Sequence, residues 1–374
     1  NAKIRGLITW IANDQDRFIV GGTYNKLYTW TSQGVRHDIT PVGLTAGRED
    51  AEAFTGYGGS YFGQYAYGVA RPDTARIQPA TTWSLDTWGE YLVACNEDDG
   101  KIYEWQINNS TPAAVLSNAP TSNESIVVTE ERFLFALGAG GNQRKVQWCD
   151  REDSSTWTPA ATNEAGDLEL NTSGRIMAGI RVQGQTLILT SMDAHVANYI
   201  GAPYVYGIER VGASCGLIAN KAIASVDRGA FWMGNHSFYA YAGGAVQQIE
   251  SEISDYVFSD INRAQISKTF AVTNSTYGEI FWFYPSGSST ENDRYCVYNY
   301  VENTWYIGEL GRTAGYDMGT YRQPIWASAE NNKLYEHEVG FDYGSLTPFA
   351  ESGSIALGTG ESVMSVTEMI PDEK

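Results

Sequence analysis

The chain is short of positive charge, of cysteine and of long apolar runs. Lys and Arg total 25 against 44 Asp and Glu, a formal net charge of -19. A protein that grips nucleic acid through its phosphates needs the opposite excess, so that class is excluded. A wall that lets DNA slide past is not, because an acidic surface repels a polyanion and cannot trap it. The four cysteines, Cys95, Cys149, Cys215 and Cys296, lie far apart without a CxxC or Cys/His cluster. Zinc is therefore not expected, and each thiol, set in an apolar or aromatic stretch, reads as buried and reduced. No apolar run approaches the length of a membrane span, and no signal peptide is visible. Gly-x-Ser-x-Gly, Walker, HExxH and EF-hand patterns are all missing.

Aromatics and glycine are what the chain has in quantity. Its 374 residues include 24 Tyr, 11 Trp and 39 Gly, and 43% are hydrophobic. Aromatic side chains suit pleated, half-buried surfaces and glycine suits tight turns, so the chain reads as all-β. A unit recurs: a short β run, a polar turn, a very apolar run, a Gly/Asn turn, then a run ending in Tyr, Trp or His. The last two runs pair as Phe18–Gly22 with Lys26–Trp30, Tyr91–Cys95 with Lys101–Trp105, and Arg132–Ala136 with Lys145–Trp148. They continue as Gln185–Leu189 with His195–Tyr199, Ala230–Met233 with Ser237–Tyr241, Glu279–Tyr284 with Tyr295–Tyr300, and Gln323–Ala327 with Lys333–His337. A period of roughly 40 to 50 residues is that of a four-stranded propeller blade. The expected fold is a β-propeller of six or seven four-stranded blades, with the apolar run on an inner strand and the alternating run outside it. A β-helix would repeat at a much shorter period, and a pair of β-sandwiches need not repeat one aromatic-ended hairpin.

The cadence breaks between Trp30 and Trp83, around the tract Gly56–Gly68. Such a Gly/Tyr run reads as a long exposed loop. Residues 1–345 are expected to form the propeller, with the insertion over about 31–82. Residues 346–374, with strand-like Ser354–Leu357 and Ser362–Val366, would begin a C-terminal β segment, so the chain is expected to be a fragment of a longer polypeptide. Tyr57, Tyr61, Phe62, Tyr65 and Tyr67 of the insertion are candidate partner contacts.

Chemistry is harder to find. His37, His195, His236 and His337 are scattered, and among the many carboxylates no two stand out as an acid/base pair. The acidic stretch Asn96–Asp99 matches no calcium loop and reads as a solvated turn. No catalytic residue, metal ligand or cofactor is assigned. Asp150–Trp157 resembles the Asp-box of sialidase-type propellers, and Asn299–Trp305 echoes it. In those families the box is a structural turn. Asp150 and Asn299 would cap the turn while Trp157 and Trp305 plug the gap between blades.

A set of ordered blocks carries a wider resemblance, from about Trp83 to Gly340. They are Trp83–Ala94, Trp148–Pro159, Gly201–Tyr204, Gly212–Leu217, Phe231–Gly234, Phe283–Ser286, Tyr298–Trp305 and Leu334–Gly340. In order and spacing these resemble the packaged-DNA stabilisation proteins, the tail hub or nozzle subunits, of short-tailed bacteriophages. The resemblance covers about two thirds of the chain. It implies a non-enzymatic structural subunit of the virion tail, assembled in the host cytoplasm as a homo-oligomeric, hexameric ring. The ring would lie below the portal and adaptor proteins, meet a plug, needle or fibre, and gate and conduct double-stranded DNA without a membrane span. The alternative is a receptor- or glycan-binding propeller module, with the tyrosines of the insertion stacking on sugars.

Overall fold

A computed structural model describes residues 2–53, 77–340, 349 and 351. The chain divides into two compact units, Asn1–Glu338 and Val339–Lys374, and the first carries every blade. Tyr57, Tyr61, Phe62, Tyr65 and Tyr67, and the strand-like runs after residue 353, lie outside the described residues.

The first unit is a seven-bladed β-propeller. Blade 1 is β1 (Ile4–Ile11), β2 (Arg17–Thr23), β3 (Leu27–Trp30) and β4 (Arg36–Asp38). A short ladder follows, β5 (Glu52–Ala53) with β6 (Ile77–Gln78). Blade 2 is β7 (Trp83–Trp88), β8 (Tyr91–Asn96), β9 (Ile102–Trp105) and β10 (Ala114–Val115); blade 3 is β11 (Ser125–Val128), β12 (Leu134–Leu137), β13 (Lys145–Trp148) and β14 (Gly166–Glu169). Blade 4 is β15 (Ile176–Val182), β16 (Gln185–Thr190), β17 (Asp193–Gly201) and β18 (Val205–Ala213). Blade 5 is β19 (Ile223–Val226), β20 (Gly229–Met233), β21 (Phe238–Ala242) and β22 (Ala245–Ile249), with helix α1 (Ser254–Asp260) after it. Blade 6 is β23 (Phe270–Asn274), β24 (Glu279–Pro285), β25 (Asn292–Asn299) and β26 (Thr304–Glu309); blade 7 is β27 (Arg312–Tyr316), β28 (Ile325–Ser328) and β29 (Leu334–Glu336).

Each blade is an antiparallel meander, and the first strands pack side by side around the centre, β27 returning to β1. Two details differ from the sequence reading. Blade 1 runs past Trp30, because Arg36–Asp38 pairs with β3 although it lacks an apolar pattern. An outermost strand faces solvent and needs no such pattern. Blade 7 has three strands among the described residues rather than four.

The second strands are the apolar runs of the repeat, and nearly every residue of β8, β12, β20, β24 and β28 is buried because neighbouring blades cover both faces. Tryptophan fills the seams, and its indole N–H meets a backbone carbonyl: Trp83 on Thr23 at 2.7 Å, Trp232 on Cys215 at 2.8 Å, Trp282 on Ala222 at 3.1 Å. Gly22 makes room for the first of these, since a Cβ there would stand 2.4 Å from the Trp83 ring.

Candidate functional site

Polar residues of the first strands face the central channel. They and their apolar neighbours enclose a cavity of about 440 Å³ that touches all seven blades, with Ile8, Ser84, Ser125, Arg181, Ser225, Thr273 and Tyr316 one from each. Two carboxylate-bearing regions and one amine give it chemistry. Asp86 on β7 pairs with Arg181 on β15 at 2.9 Å, across the end of the blade-3 strand between them. Asp86 also accepts the backbone N–H of Val128 and of Thr87, each at 2.8 Å. Burial nevertheless pushes its carboxyl up, against the pull of Arg181 and those donors.

Lys221 stands where the chain enters β19 and lines the same cavity. Among the described residues no carboxylate lies within 4.0 Å of its Nζ. Burial lowers it to about 8, with Asp86 and Glu97 too distant to compensate fully. Glu97, accepting from Thr82 Oγ1 at 2.8 Å, is pushed by burial up to about 7. Glu124, 3.6 Å from Arg175, is pushed up by the same cause. An amine near pKa 8, a guanidinium, raised carboxyls and several hydroxyls can hold a small polar molecule by hydrogen bonds from several sides. No catalytic order among them follows from the geometry.

The root of the insertion lies over the same face as the starts of the first strands. Ala51 N–H donates to Gln265 Oε1 at 2.9 Å, Gln265 Nε2 donates to the Ala51 carbonyl at 3.1 Å, and Ala80 N–H donates to Ser267 Oγ at 3.0 Å. Both arms of the root thus reach the segment that leads from α1 into blade 6. Beneath them Arg5 grips Glu291 with two bonds of 2.6 and 2.7 Å, and Lys268 pairs with Asp50. Burial alone would raise Glu291, but Arg5, Lys268 and Lys3 hold it down at about 2.

The two Asp-box-like turns have different surroundings. Asp150 Oδ1 accepts the N–H of Glu164 at 2.8 Å, and Asp153 takes Ser155 N–H at 2.9 Å and Thr156 Oγ1 at 2.8 Å. Trp157 is 2% exposed and packs in the seam with Trp88, Val93 and Ile102 of blade 2 and Leu134 of blade 3. Asn299 Oδ1 caps its turn through the N–H groups of Val301 and Glu302, at 3.0 and 2.9 Å. Trp305 is only partly buried, against Phe238 of blade 5 and Trp282 and Tyr298 of blade 6, with centroids 4.6, 6.0 and 4.7 Å away. All four cysteines are buried and unpaired. His337 stacks on Trp326 at 4.0 Å, where burial and Arg312 drive it down to about 4. Among the described residues no His/Cys/Asp/Glu group is placed to hold a metal ion, and no helix is long and apolar enough to cross a membrane.

Sequence reading missed the channel residues and the hairpin of blade 4. The signal for the channel was present: the first runs carry polar residues at alternate positions, as in Ser84 and Asp86. The hairpin β17–β18 is nine residues long on each side. β16 pairs with β17 only as far as Ala197, so Asn198 to Gly207 form an arm held by its own two strands. Tyr206 is wedged against Phe133, Phe135 and Trp148 of blade 3, with centroids 5.3, 4.8 and 5.5 Å away. Its hydroxyl meets Thr129 Oγ1 at 2.8 Å and Glu131 Oε2 at 3.1 Å. The tip beyond it bares Ile200, 56% exposed, and Tyr204, 76% exposed.

No family model matches the sequence, and no curated protein matches it. Solved structures do resemble the fold. Virginiamycin B lyase from Staphylococcus aureus is similar at a TM-score of 0.53 and 7% identity, over 89% of this chain and 94% of that one. The WD40 β-propeller domain of Doa1 is similar at 0.52 and 9% identity, over 90% and 94%. A streptogramin B lyase gives 0.50 and 8%, over 89% and 93%. At such identities the shared property is the β-propeller fold.

Proposed function

We propose that this chain is a structural subunit of a bacteriophage tail, a hub or nozzle that forms a ring of copies and conducts DNA, and that it acts by assembly rather than catalysis. The observation that carries this reading is the blade-4 arm. A chain of net charge -19 builds a stiff hairpin, locks its base with an aromatic cluster, and leaves an uncharged tip bare. Rigid exposed aromatic tips suit protein contact. The tip is also one of the blocks, Gly201–Tyr204, that resemble the tail-hub proteins. The acidic charge supports passage of DNA without capture. Portal and adaptor proteins and a plug, needle or fibre are the further partners of this reading. Light scattering with negative-stain imaging of the purified chain tests it. Closed rings of several copies are expected, and a monomer at every concentration, with tail partners present, overturns it.

The channel supports a second reading, a glycan- or receptor-binding module of the virion. Its 440 Å³ cavity lies in the range of small-ligand sites and is lined by hydroxyls and both signs of charge. A glycan array with wild type, Lys221→Met and a deletion of residues 56–68 separates the sites. Loss in Lys221→Met points to the channel, loss in the deletion points to the insertion, and no binding by any form removes this reading. The lyases among the similar folds are enzymes, but fold likeness carries no reaction to this chain.

A further inference from the structure

We infer that the β17–β18 arm of one copy docks on the outer strand β26 of a second copy, in a head-to-tail contact. The inference rests on the assembly reading above and names the surfaces that would make it.

The donor is the arm tip. From Asn198 to Gly207 the sequence has no Asp, Glu, Lys or Arg. Roughly 10 Å of hairpin extends past the four-stranded part of blade 4, at about 3.3 Å per residue. Its base cannot swing freely, because Tyr199 and Tyr206 are packed on Phe133 at 5.8 and 5.3 Å. The tip is therefore presented in one orientation, which lowers the entropy lost on docking.

The acceptor is the free edge of blade 6. β26 ends its sheet, so one side of its backbone is unpaired among the described residues. Natural edges are blunted by short length, charge or proline. The other outer strands of the ring mostly follow that rule: β4 is Arg-His-Asp, β10 is two residues long, and β14 is Gly-Asp-Leu-Glu. β22, Ala-Val-Gln-Gln-Ile, is uncharged but exposes its glutamines, whereas β26 runs six residues, Thr-Trp-Tyr-Ile-Gly-Glu, with charge only at its last. Tyr306 and Ile307 on it are 40% and 42% exposed.

Charge selects the occupant. Two copies at -19 each repel over most of their surface, so a contact is favoured where neither backbone segment adds a carboxylate. Asn198–Gly207 and Thr304–Gly308 are both free of Asp, Glu, Lys and Arg. A lipid surface is the weaker partner, because two apolar side chains anchor poorly and anionic headgroups repel the chain. Donor and acceptor lie on different blades, so the contact is heterologous, and such contacts close into rings when the rotation permits.

Cross-linking tests it on the full chain. Tyr204→Cys and Ile307→Cys are prepared separately, mixed, and oxidised or treated with a short bismaleimide. The native cysteines are all buried, so background is low. The expected result is a dimer joined between the thiol introduced at position 204 of one copy and that at position 307 of the other. Mass spectrometry locates the link, which should be absent from either variant alone. A dimer of the Tyr204→Cys variant with itself, linked through position 204 of both copies, means a two-fold contact and overturns the head-to-tail arrangement. In parallel, an Ile200→Asp/Tyr204→Asp variant is expected to need at least tenfold more protein to assemble, with unchanged thermal unfolding because both side chains are exposed. Rings that persist unchanged in that variant overturn the arm contact and leave the assembly reading standing. A wild-type chain that never assembles removes both.

Discussion

The seam between blades 2 and 3 and the closure of the ring are held in opposite ways. The first is apolar and bulky: Trp88, Val93, Ile102, Leu134 and Trp157 fill it. At the closure the buried apolar cluster is only Ile4, Ala314 and Ala327. Beside it sits the Arg5–Glu291 pair, joining residues 286 apart in sequence. Among the described residues no strand is exchanged there, since β1 is the innermost strand of blade 1 and β29 belongs to blade 7. Neighbouring blades can zip together by contact of apolar faces as each hairpin forms. The closure must bring distant parts of the chain into one register, and a bidentate ion pair is directional where a methyl contact is not. Like residues can also meet unlike fates. Glu291, with three cations around it, is held down at about 2, whereas Glu97, with only Arg175 near to offset its burial, is raised to about 7.

The comparison can be broken most severely on its apolar side. Trp157→Ala is expected to cost about 3–5 kcal/mol in denaturant unfolding, through the cavity it leaves between blades. A loss below about 1 kcal/mol would show that the seam does not depend on it. Glu291→Gln comes next, at about 3 kcal/mol, because it strands the buried Arg5 guanidinium. The same variant sharpens the electrostatic half. A carboxylate held at about 2 against an ordinary 4.5 gives stability that is complete above 4.5 and lost as pH falls toward 2. Acid unfolding should therefore be less steep in Glu291→Gln than in wild type over that window; equal slopes would show that Glu291 is not the group titrating.

Glu97→Gln should give the smallest effect, with the opposite sign. A carboxyl raised to about 7 keeps its proton in the folded chain between pH 4.5 and 7, so stability falls as pH rises through that range. Glu97 is only half-buried, so solvent screens much of the ~3 kcal/mol that such a shift would carry; the glutamine variant is expected to lie near wild type at pH 5 and to be about 1 kcal/mol more stable at pH 8. No gain at pH 8 would mean that water solvates Glu97 well.

Much of the propeller was legible in the chain. Tyr91–Cys95, Ala230–Met233 and Glu279–Tyr284 announce strands covered on both faces, and the turns Asp98–Gly100 and Asp227–Gly229 fall where hairpins need them. The turn at Asn299 could be placed because Asn299 acts within three residues of itself, whereas Asp150 reaches Glu164, fourteen residues on, and leaves the local turn to Asp153. Arg36–Asp38 was missed as a strand because a solvent-facing edge carries no apolar signal. The arm was missed because its length depends on where β16 stops pairing. The channel was missed because its members come from seven separate first strands.

By itself, then, the sequence determined the period, the apolar second strands, the turns and the acidic character, all of which depend on residues close together or on composition. Only the tertiary structure decided that seven blades close, that Arg5 finds Glu291, that Lys221 and Asp86 share a channel, and that the blade-4 tip stands bare. Those facts join residues scores to hundreds of positions apart, and ring geometry, not local preference, brings such residues together.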